Sequence, residues 1–167
     1  MSQSQHNTSD DMLFQSIMAA LATCYGDLAE PNFRKVYVTM GSSLHRNLIE
    51  ELRGKGIEIT ETTDENDDVS NHLVLDHAGD HVGLALSGVG PYAALIHWDA
   101  TERRSWVTQP ENAPTQLAAL VAQIVQHAGF RLLDRQLVSR TIRMNWYDGS
   151  EEVTLYQALF TDTDRIP

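Results

Sequence analysis

Three short segments joined by two turns constrain the fold of this chain more than any other feature of its sequence. The segments span residues 71–76, 81–87 and 92–98, and the links are Ala78-Gly79 and a Gly-Val-Gly-Pro loop at residues 88–91. Glycine and proline in links this short are typical of turns between antiparallel strands. The sequence therefore predicts an antiparallel three-stranded meander in the middle of the chain.

The two-residue link also predicts which side chains of the meander share a face. Successive side chains of a strand point to opposite faces of the sheet. With Ala78-Gly79 as the turn, one face holds five aliphatic side chains, those of Leu73, Leu75, Val82, Leu84 and Leu86. Residues 92–98 are apolar on both faces, so we expect this strand to lie centrally, with cover on both sides.

Helical periodicity predicts helices on both sides of the meander. The first begins at Asp10 or Asp11, and its apolar face comprises Leu13, Phe14, Ile17, Met18 and Leu21. The second follows the turn at residues 41–43 and ends at Gly54, and its inward positions are Leu44, Leu48, Ile49 and Leu52. The third opens near Asn112 and ends at Gly129, and its apolar positions are Leu117, Leu120, Val121, Ile124 and Val125.

Further strands are predicted outside the meander. Residues 33–40 (F-R-K-V-Y-V-T-M) are rich in β-branched and aromatic side chains, which favour strands. Residues 57–60 alternate isoleucine with polar side chains, and residues 103–108 form a plausible fourth strand after the meander. The first two of these strands, with the helix between them, would form a βαβ-like opening unit.

The tail of the chain allows two interpretations. Asp148-Gly149 predicts a hairpin that aligns Ile142 and Met144 with Val153 and Leu155. The spacing of Leu155, Tyr156, Leu159 and Phe160 instead predicts a helix over the last ten residues. The sequence leaves this choice open.

Together these elements predict an α+β protein with a mostly antiparallel sheet of about five to seven strands, flanked by two to four helices. A length of 167 residues, 42% of them hydrophobic, suits one domain with a single core. We expect a disordered tail over residues 1–9 and a globular domain over residues 10–167. The number of copies in the functional assembly is left open.

The same composition bears on the compartment. The first eleven residues have no Lys, no Arg and no apolar run, which argues against a secretory signal. The most apolar segment, residues 82–98, is interrupted by glycine, proline and histidine, so we expect no membrane partner. A single cysteine, Cys24, suits a reducing compartment. We therefore expect a cytoplasmic protein.

The charge of the chain is concentrated in its first three-fifths. Residues 1–99 contain 5 Lys or Arg against 15 Asp or Glu, whereas residues 100–167 contain 7 against 8, for a net charge of -11. The densest stretch, residues 58–68, reads E-I-T-E-T-T-D-E-N-D-D. A field of this sign attracts cationic partners and repels polyanions, so we expect a basic protein partner and no nucleic acid.

These observations predict a non-enzymatic binding protein, of the size and charge found in toxin-neutralising immunity proteins and in acidic secretion chaperones. The predicted partner-binding residues are Glu58, Glu61, Asp64, Glu65, Asp67, Asp68, Trp146 and Tyr147. The carboxylates would steer the partner, and the two aromatic rings beside the Asp148-Gly149 turn would anchor it. The alternative for the rings is that one of them closes the end of the sheet.

The sequence suggests two other kinds of site, one for an anion and one for a metal. Ser42, Ser43 and Arg46 lie at a predicted helix N-terminus, where backbone N–H groups can bind an anion, although capping by a serine is the simpler interpretation. Asp76 and His81 face each other across the predicted turn, but two ligands alone make a poor metal site. We therefore expect no metal and no cofactor.

The alternative function is that of a small enzyme. Its site would be assembled from dispersed histidines, such as His45, His81 and His97, together with nearby carboxylates. The sequence itself contains no motif that brings these residues together.

Overall fold

The computed structural model describes residues 3–64, 68–146, 148–161 and 166–167, with side chains from Asp10 onward. The helices are α1 (Gln3–Tyr25), α2 (Arg34–Met40), α3 (Ser43–Gly54), α4 (Gln116–His127), α5 (Arg135–Val138) and α6 (Leu155–Leu159), with a 3-10 turn at Pro110–Asn112. The strands are β1 (Glu58–Glu61), β2 (Ser70–His77), β3 (Asp80–Ser87), β4 (Tyr92–Trp98), β5 (Arg104–Trp106), β6 (Arg131–Leu132), β7 (Thr141–Arg143) and β8 (Glu152–Thr154).

The predicted fold class is confirmed: the chain forms a single α+β domain with a mixed six-stranded sheet. Five strands run in the order β1-β2-β3-β4-β5 with antiparallel neighbours, and β6 pairs in parallel with the start of β4. Strands β7 and β8 form a separate antiparallel pair. The backbone of residues 3–9 belongs to α1, and the disordered tail over residues 1–9 stays a prediction.

The predicted meander and its register are confirmed. Ala78 and Gly79 have φ values of 52° and 83°, the left-handed conformation that a two-residue hairpin turn requires at both positions. Leu73 lies opposite Leu84, and Leu75 lies opposite Val82. These aliphatic side chains therefore form one continuous apolar face.

Two groups of helices cover the sheet. The aliphatic face packs against α3 and α4, whose buried residues include Leu48, Leu52, Val121 and Val125. The other face is covered at one end by a second cluster, to which α1, α2, α6 and the β7–β8 pair contribute. Strand β4 lies between the two clusters, and all of its residues except Trp98 are buried, as its apolar sequence predicts.

The strand predicted over residues 33–40 is wrong, because this segment forms α2. Phe33, Val36 and Met40 are spaced by three and four residues and so lie on one helical face, and Val36 is fully buried. The Oδ1 atom of Asn32 accepts a hydrogen bond from the backbone N–H of Arg34 at the start of this helix. Burial of one face outweighed the strand propensity of the β-branched residues, so the opening unit is helical rather than βαβ.

The inward face of α3 also differs from the prediction. Leu44 is 43% exposed, whereas His45 is buried together with Leu48 and Leu52. The helix therefore places a polar ring where an apolar residue was expected.

In the C-terminal segment, both predicted structures are present, one after the other. Ile142 pairs with Val153 in the β7–β8 hairpin, and the helix α6 begins at Leu155.

Candidate functional site

Strand β1 forms one edge of the main sheet, and its pairing with β2 shows which backbone groups face outward. The backbone N–H of Thr62 donates to the carbonyl of His72 at 2.8 Å, so this opposed pair is hydrogen-bonded. Bonded and non-bonded pairs alternate along an antiparallel ladder. The N–H and C=O groups of Ile59 and Glu61 therefore point away from β2. Neither residue's backbone bonds to another described residue on that side.

A groove of about 930 Å³ runs between this edge and α3. Helix α3 forms one wall, and the end of β1 forms the other, with α2 closing one end. The lining residues are Tyr37, Met40, Gly41, His45, Arg46, Ile49, Glu50, Arg53, Glu61, Thr63 and Asn71. The groove thus joins an unpaired strand edge to a helix surface of mixed polar and apolar character.

The charge around this edge is negative. Residues 44–68 contain three Lys or Arg against eight Asp or Glu. Glu58, Glu61 and Asp64 are exposed, and Asp76 lies opposite Glu58 on β2. The groove itself is lined by two arginines, Arg46 and Arg53, and by two glutamates, Glu50 and Glu61. The excess of carboxylates therefore lies on β1 and the segment after it rather than on the helical wall.

Asp68 differs from the other predicted partner-binding carboxylates because it is buried, at 7% exposure. Its Oδ2 atom accepts a hydrogen bond from the backbone N–H of Asp64 at 2.7 Å, and its Oδ1 atom lies 3.5 Å from Nε2 of His72. It also forms a backbone bridge to Thr161. Asp68 thus anchors the acidic segment to the sheet. Glu65 and Asp67 lie outside the described residues.

The predicted aromatic anchor lies away from this edge. Trp146 is 6% exposed and packs edge-to-face on Phe33 at 5.3 Å, and Phe33 packs in the same way on Tyr25 at 5.1 Å. The ring of Trp146 therefore closes the end of the small sheet, which is the alternative that the sequence left open. Tyr147 lies outside the described residues.

The predicted anion-binding residues lie at the start of α3. Ser42 is the N-cap residue, its carbonyl accepts the backbone N–H of Arg46, and its side chain makes no capping hydrogen bond. The Arg46 side chain borders the groove. Anion binding by Ser42, Ser43 and Arg46 stays a prediction.

The histidines of the alternative enzyme site have separate structural settings. The His81 ring lies 5.1 Å from the Trp98 ring at an interplanar angle of 55°, whereas His97 points to the opposite face of the sheet and contacts Asp80 at 3.2 Å. His45 is buried, its Nδ1 lies 2.6 Å from Oδ1 of Asn71, and its burial lowers its pKa. Within the part of the chain that the structure describes, no three metal-ligand side chains come together.

Sequence reasoning found the acidic segment but missed the groove beside it. The position of α3 against β1 depends on contacts between residues far apart in the chain. One local signal was present in the sequence. A very short strand lies between Gly56 and the acidic segment, and short charged strands are typical of sheet edges.

Among the described residues, no helix combines the length and the apolar character needed to cross a bilayer. Comparisons of the chain with protein-family models, with curated proteins and with solved structures found no match.

Proposed function

We propose that this chain is a non-enzymatic protein-binding module that binds an extended, basic segment of a partner protein along the edge of β1. The observation that carries the proposal is the outward-facing backbone of Ile59 and Glu61 beside an acidic surface. Addition of a strand to an exposed sheet edge is a recurrent mode of peptide recognition.

Backbone pairing supplies the affinity in this proposal. Ile59 and Glu61 together offer two N–H donors and two C=O acceptors to an added strand. An edge of this kind pairs readily with an extended chain, and proteins commonly restrict such pairing with charged residues. On β1 the charges are Glu58 and Glu61, so the edge favours a cationic strand and repels an acidic one.

The side chains of β1 define the pattern that the partner segment should have. Ile59 and Glu61 face the α3 side of the sheet, and Glu58 and Thr60 face the other side. An added strand would place one set of its side chains on the α3 side, where an apolar side chain can pack on Ile49 between the charged residues Arg46, Glu50 and Arg53. Its alternate side chains would lie beside Glu58 and Asp76, where Lys or Arg fits best.

Two cellular roles require such an interaction. An immunity protein neutralises a basic toxin by binding it, and a secretion chaperone binds an extended segment of its cargo. In both roles the acidic surface accelerates association, and the strand pairing selects an extended segment.

The experiment is a titration with the peptide acetyl-Lys-Val-Lys-Val-Lys-Val-amide, at low and at physiological salt, followed by backbone amide NMR. We expect the shifts to concentrate on residues 57–63 and on α3, and the affinity to decrease with salt. Two control peptides separate the contributions. Substitution of Glu for Lys removes the charge match, and N-methylation of alternate residues removes backbone donors; both should weaken binding.

Two variants of one residue make the test specific. Glu61→Gln removes a carboxylate, whereas Glu61→Pro removes in addition the outward N–H without touching a bond to β2. We expect Glu61→Pro to bind more weakly than Glu61→Gln at the same thermal stability. The matched control is Glu151→Gln with Glu152→Gln, two exposed carboxylates on the far hairpin. Equal binding by the proline and glutamine variants, or no saturable binding of the lysine peptide, would refute the proposal.

A further inference from the structure

A second cavity, of about 450 Å³, lies on the face of the sheet away from α3 and α4. Its floor is formed by cross-strand neighbours with small or aliphatic side chains, namely Val74, Gly83, Ala85, Ala94 and Ile96. Trp98 and Arg104 border one side, and Tyr156 of α6 borders another. The volume is within the range of small-molecule sites in proteins.

Gly83 explains why the ring of Trp98 lies so close to the sheet. A Cβ atom at this residue would lie 2.7 Å from the Trp98 ring, so only glycine lets the ring lie this close to β3. The ring also contacts His81 at 5.1 Å between centroids. Trp98 is therefore held against the sheet, and its half-buried face is available to a flat apolar group beside the small floor residues.

Two hydrogen-bond donors converge on the same cavity. Tyr156 is 3% exposed, and its hydroxyl bonds to no described residue. Burial raises its pKa above the ordinary value, so the hydroxyl is a donor at neutral pH. Arg104 also makes no ion pair with a described residue, and its positive charge acts on Tyr156 by lowering that pKa. Both side chains line the same cavity.

Several negative groups lie near these donors. The last residue, Pro167, lines the cavity, and its backbone oxygen accepts a hydrogen bond from the Trp106 indole N–H at 2.9 Å. Glu102 borders the cavity beside Arg104. The charge of Asp68 acts on Tyr156, but this carboxylate is already bonded to the N–H of Asp64 and close to His72. The Tyr156 and Arg104 side chains thus have carboxylates nearby, but neither side chain bonds directly to a carboxylate of the described residues. Because both donor side chains line the cavity, a ligand with an acceptor group can bond to them there.

We propose that this cavity binds a small planar aromatic carboxylate. Its carboxylate accepts hydrogen bonds from the Tyr156 hydroxyl and the Arg104 guanidinium, and its ring lies over Ala85 and Ala94 beside Trp98. A carboxylate suits this pair of donors because arginine can bond both of its oxygens. The site lies apart from the β1 groove and does not depend on the function proposed there.

The three tryptophans of the chain provide the readout. We expect three indole N–H signals in a nitrogen-edited NMR spectrum, and Trp98→Phe would assign one of them. Trp98 lines the cavity, Trp106 contacts the Tyr156 ring at 6.1 Å between centroids, and Trp146 packs instead against Phe33. Titration with 2-naphthoate should shift the signals of Trp98 and Trp106 saturably and leave that of Trp146 nearly unchanged.

Two variants and a neutral probe test the role of the donors. Arg104→Gln should weaken naphthoate binding by about tenfold, which is the usual scale for a lost charge-assisted hydrogen bond. Tyr156→Phe keeps the ring and should weaken binding by about fivefold. Arg103→Gln, an exposed neighbour that does not line the cavity, should bind as the wild type does. The neutral 2-naphthamide should bind weakly to the wild type and to Arg104→Gln alike.

Three results would overturn the proposal. One is the absence of saturable shifts at Trp98 and Trp106 up to the solubility limit of naphthoate. Another is equal binding of naphthoate and naphthamide. The third is unchanged affinity in Arg104→Gln, a substitution at an exposed side chain that should leave the fold intact. Because the Glu61 side chain faces the α3 side of the sheet, Glu61→Gln should bind naphthoate normally.

Discussion

The Nδ1 atom of His45 lies 2.6 Å from Oδ1 of Asn71, and this hydrogen bond joins α3 to β2 beside the groove. The imidazole is 1% exposed and also packs on Phe130 at 5.4 Å. Because the carbonyl oxygen of an amide only accepts, Nδ1 carries the proton in this arrangement. The wall of the proposed peptide groove is thus held by a buried, neutral histidine.

We expect this histidine to make the stability of the protein depend on pH. Burial lowers its pKa from the ordinary value of 6.5, so below that pH the unfolded chain binds a proton that the folded chain does not. The free energy of unfolding should therefore decrease as the pH is lowered through about 6.5. Urea unfolding followed by tryptophan fluorescence, between about pH 8 and about pH 5, measures this dependence.

His45→Gln should flatten this pH dependence, even if the variant is less stable at every pH. The matched control is His127→Gln at an exposed position of α4, which should keep the wild-type dependence. Identical pH profiles for His45→Gln and the wild type would contradict the assignment.

Gly88→Ala should destabilise the protein more than Gly83→Ala. A Cβ atom at Gly88 would lie 2.6 Å from Cγ1 and 2.8 Å from the carbonyl oxygen of the buried Val36, so the backbone of α2 would have to move. At Gly83 its close contact would be with the side chain of the half-buried Trp98, and the nearest backbone atom, the carbonyl oxygen of Ile96, would lie at 3.9 Å. We expect losses of about 3 and about 1 kcal/mol in the free energy of unfolding.

Gly54→Ala is the control for these alanine substitutions. Gly54 lies at the end of α3, and nothing lies within 4 Å of a Cβ atom built there. This variant should be as stable as the wild type, or more stable by about 0.5 kcal/mol. A Gly88→Ala variant with the unfolding midpoint of Gly54→Ala would show that α2 is not packed against Gly88.

Asp68→Ala should destabilise the fold, although Asp68 was predicted to bind a partner. Its loss would remove the hydrogen bond to the backbone N–H of Asp64, at a cost of about 1 kcal/mol. Glu58→Gln, at an exposed residue of the same acidic surface, should change the free energy of unfolding by less than about 0.5 kcal/mol. Chemical denaturation of both variants checks this contrast, and equal stabilities would mean that Asp68 does not anchor the segment.

Thr154→Ala should loosen α6. The Thr154 hydroxyl accepts the N–H of Gln157 at 3.2 Å, and the Gln157 side chain accepts the N–H of Thr154 at 2.9 Å. Loss of this reciprocal cap should cost about 1 kcal/mol. Thr154→Ser should retain nearly all of the wild-type stability, as judged by thermal unfolding. A serine variant as unstable as the alanine variant would assign the loss to the methyl group instead.

The elements predicted best from the sequence are those with a local cause. Ala78 and Gly79 adopt the left-handed turn that their position demands, and this turn determines the register of β2 against β3. Helix α4 begins after the Thr115 cap and buries four of the five apolar residues that its periodicity predicts, while Leu120 is partly buried. Such signals are visible because the interacting residues lie within a few positions of one another.

The errors have a common cause in long-range packing. Residues 33–40 have strand-forming residues as well as a helical apolar face, and the contact of Val36 with the second core cluster decided between the two. For Trp146 the sequence left exposure and closure of the sheet end open, and contact with Phe33, more than a hundred positions earlier in the chain, decided for burial. Neither outcome follows from the residues near the segment itself.

The acidic character of residues 58–68, the meander and the α+β class were determined by the sequence alone, because charge, turn chemistry and periodicity are local properties. The tertiary structure alone decided that Asp68 is buried, that Ile59 and Glu61 present an open strand edge, and that Arg104 and Tyr156 meet in one cavity. These features depend on which distant segments pack together. That choice is made by the burial of the whole chain's apolar surface rather than by any one stretch of it.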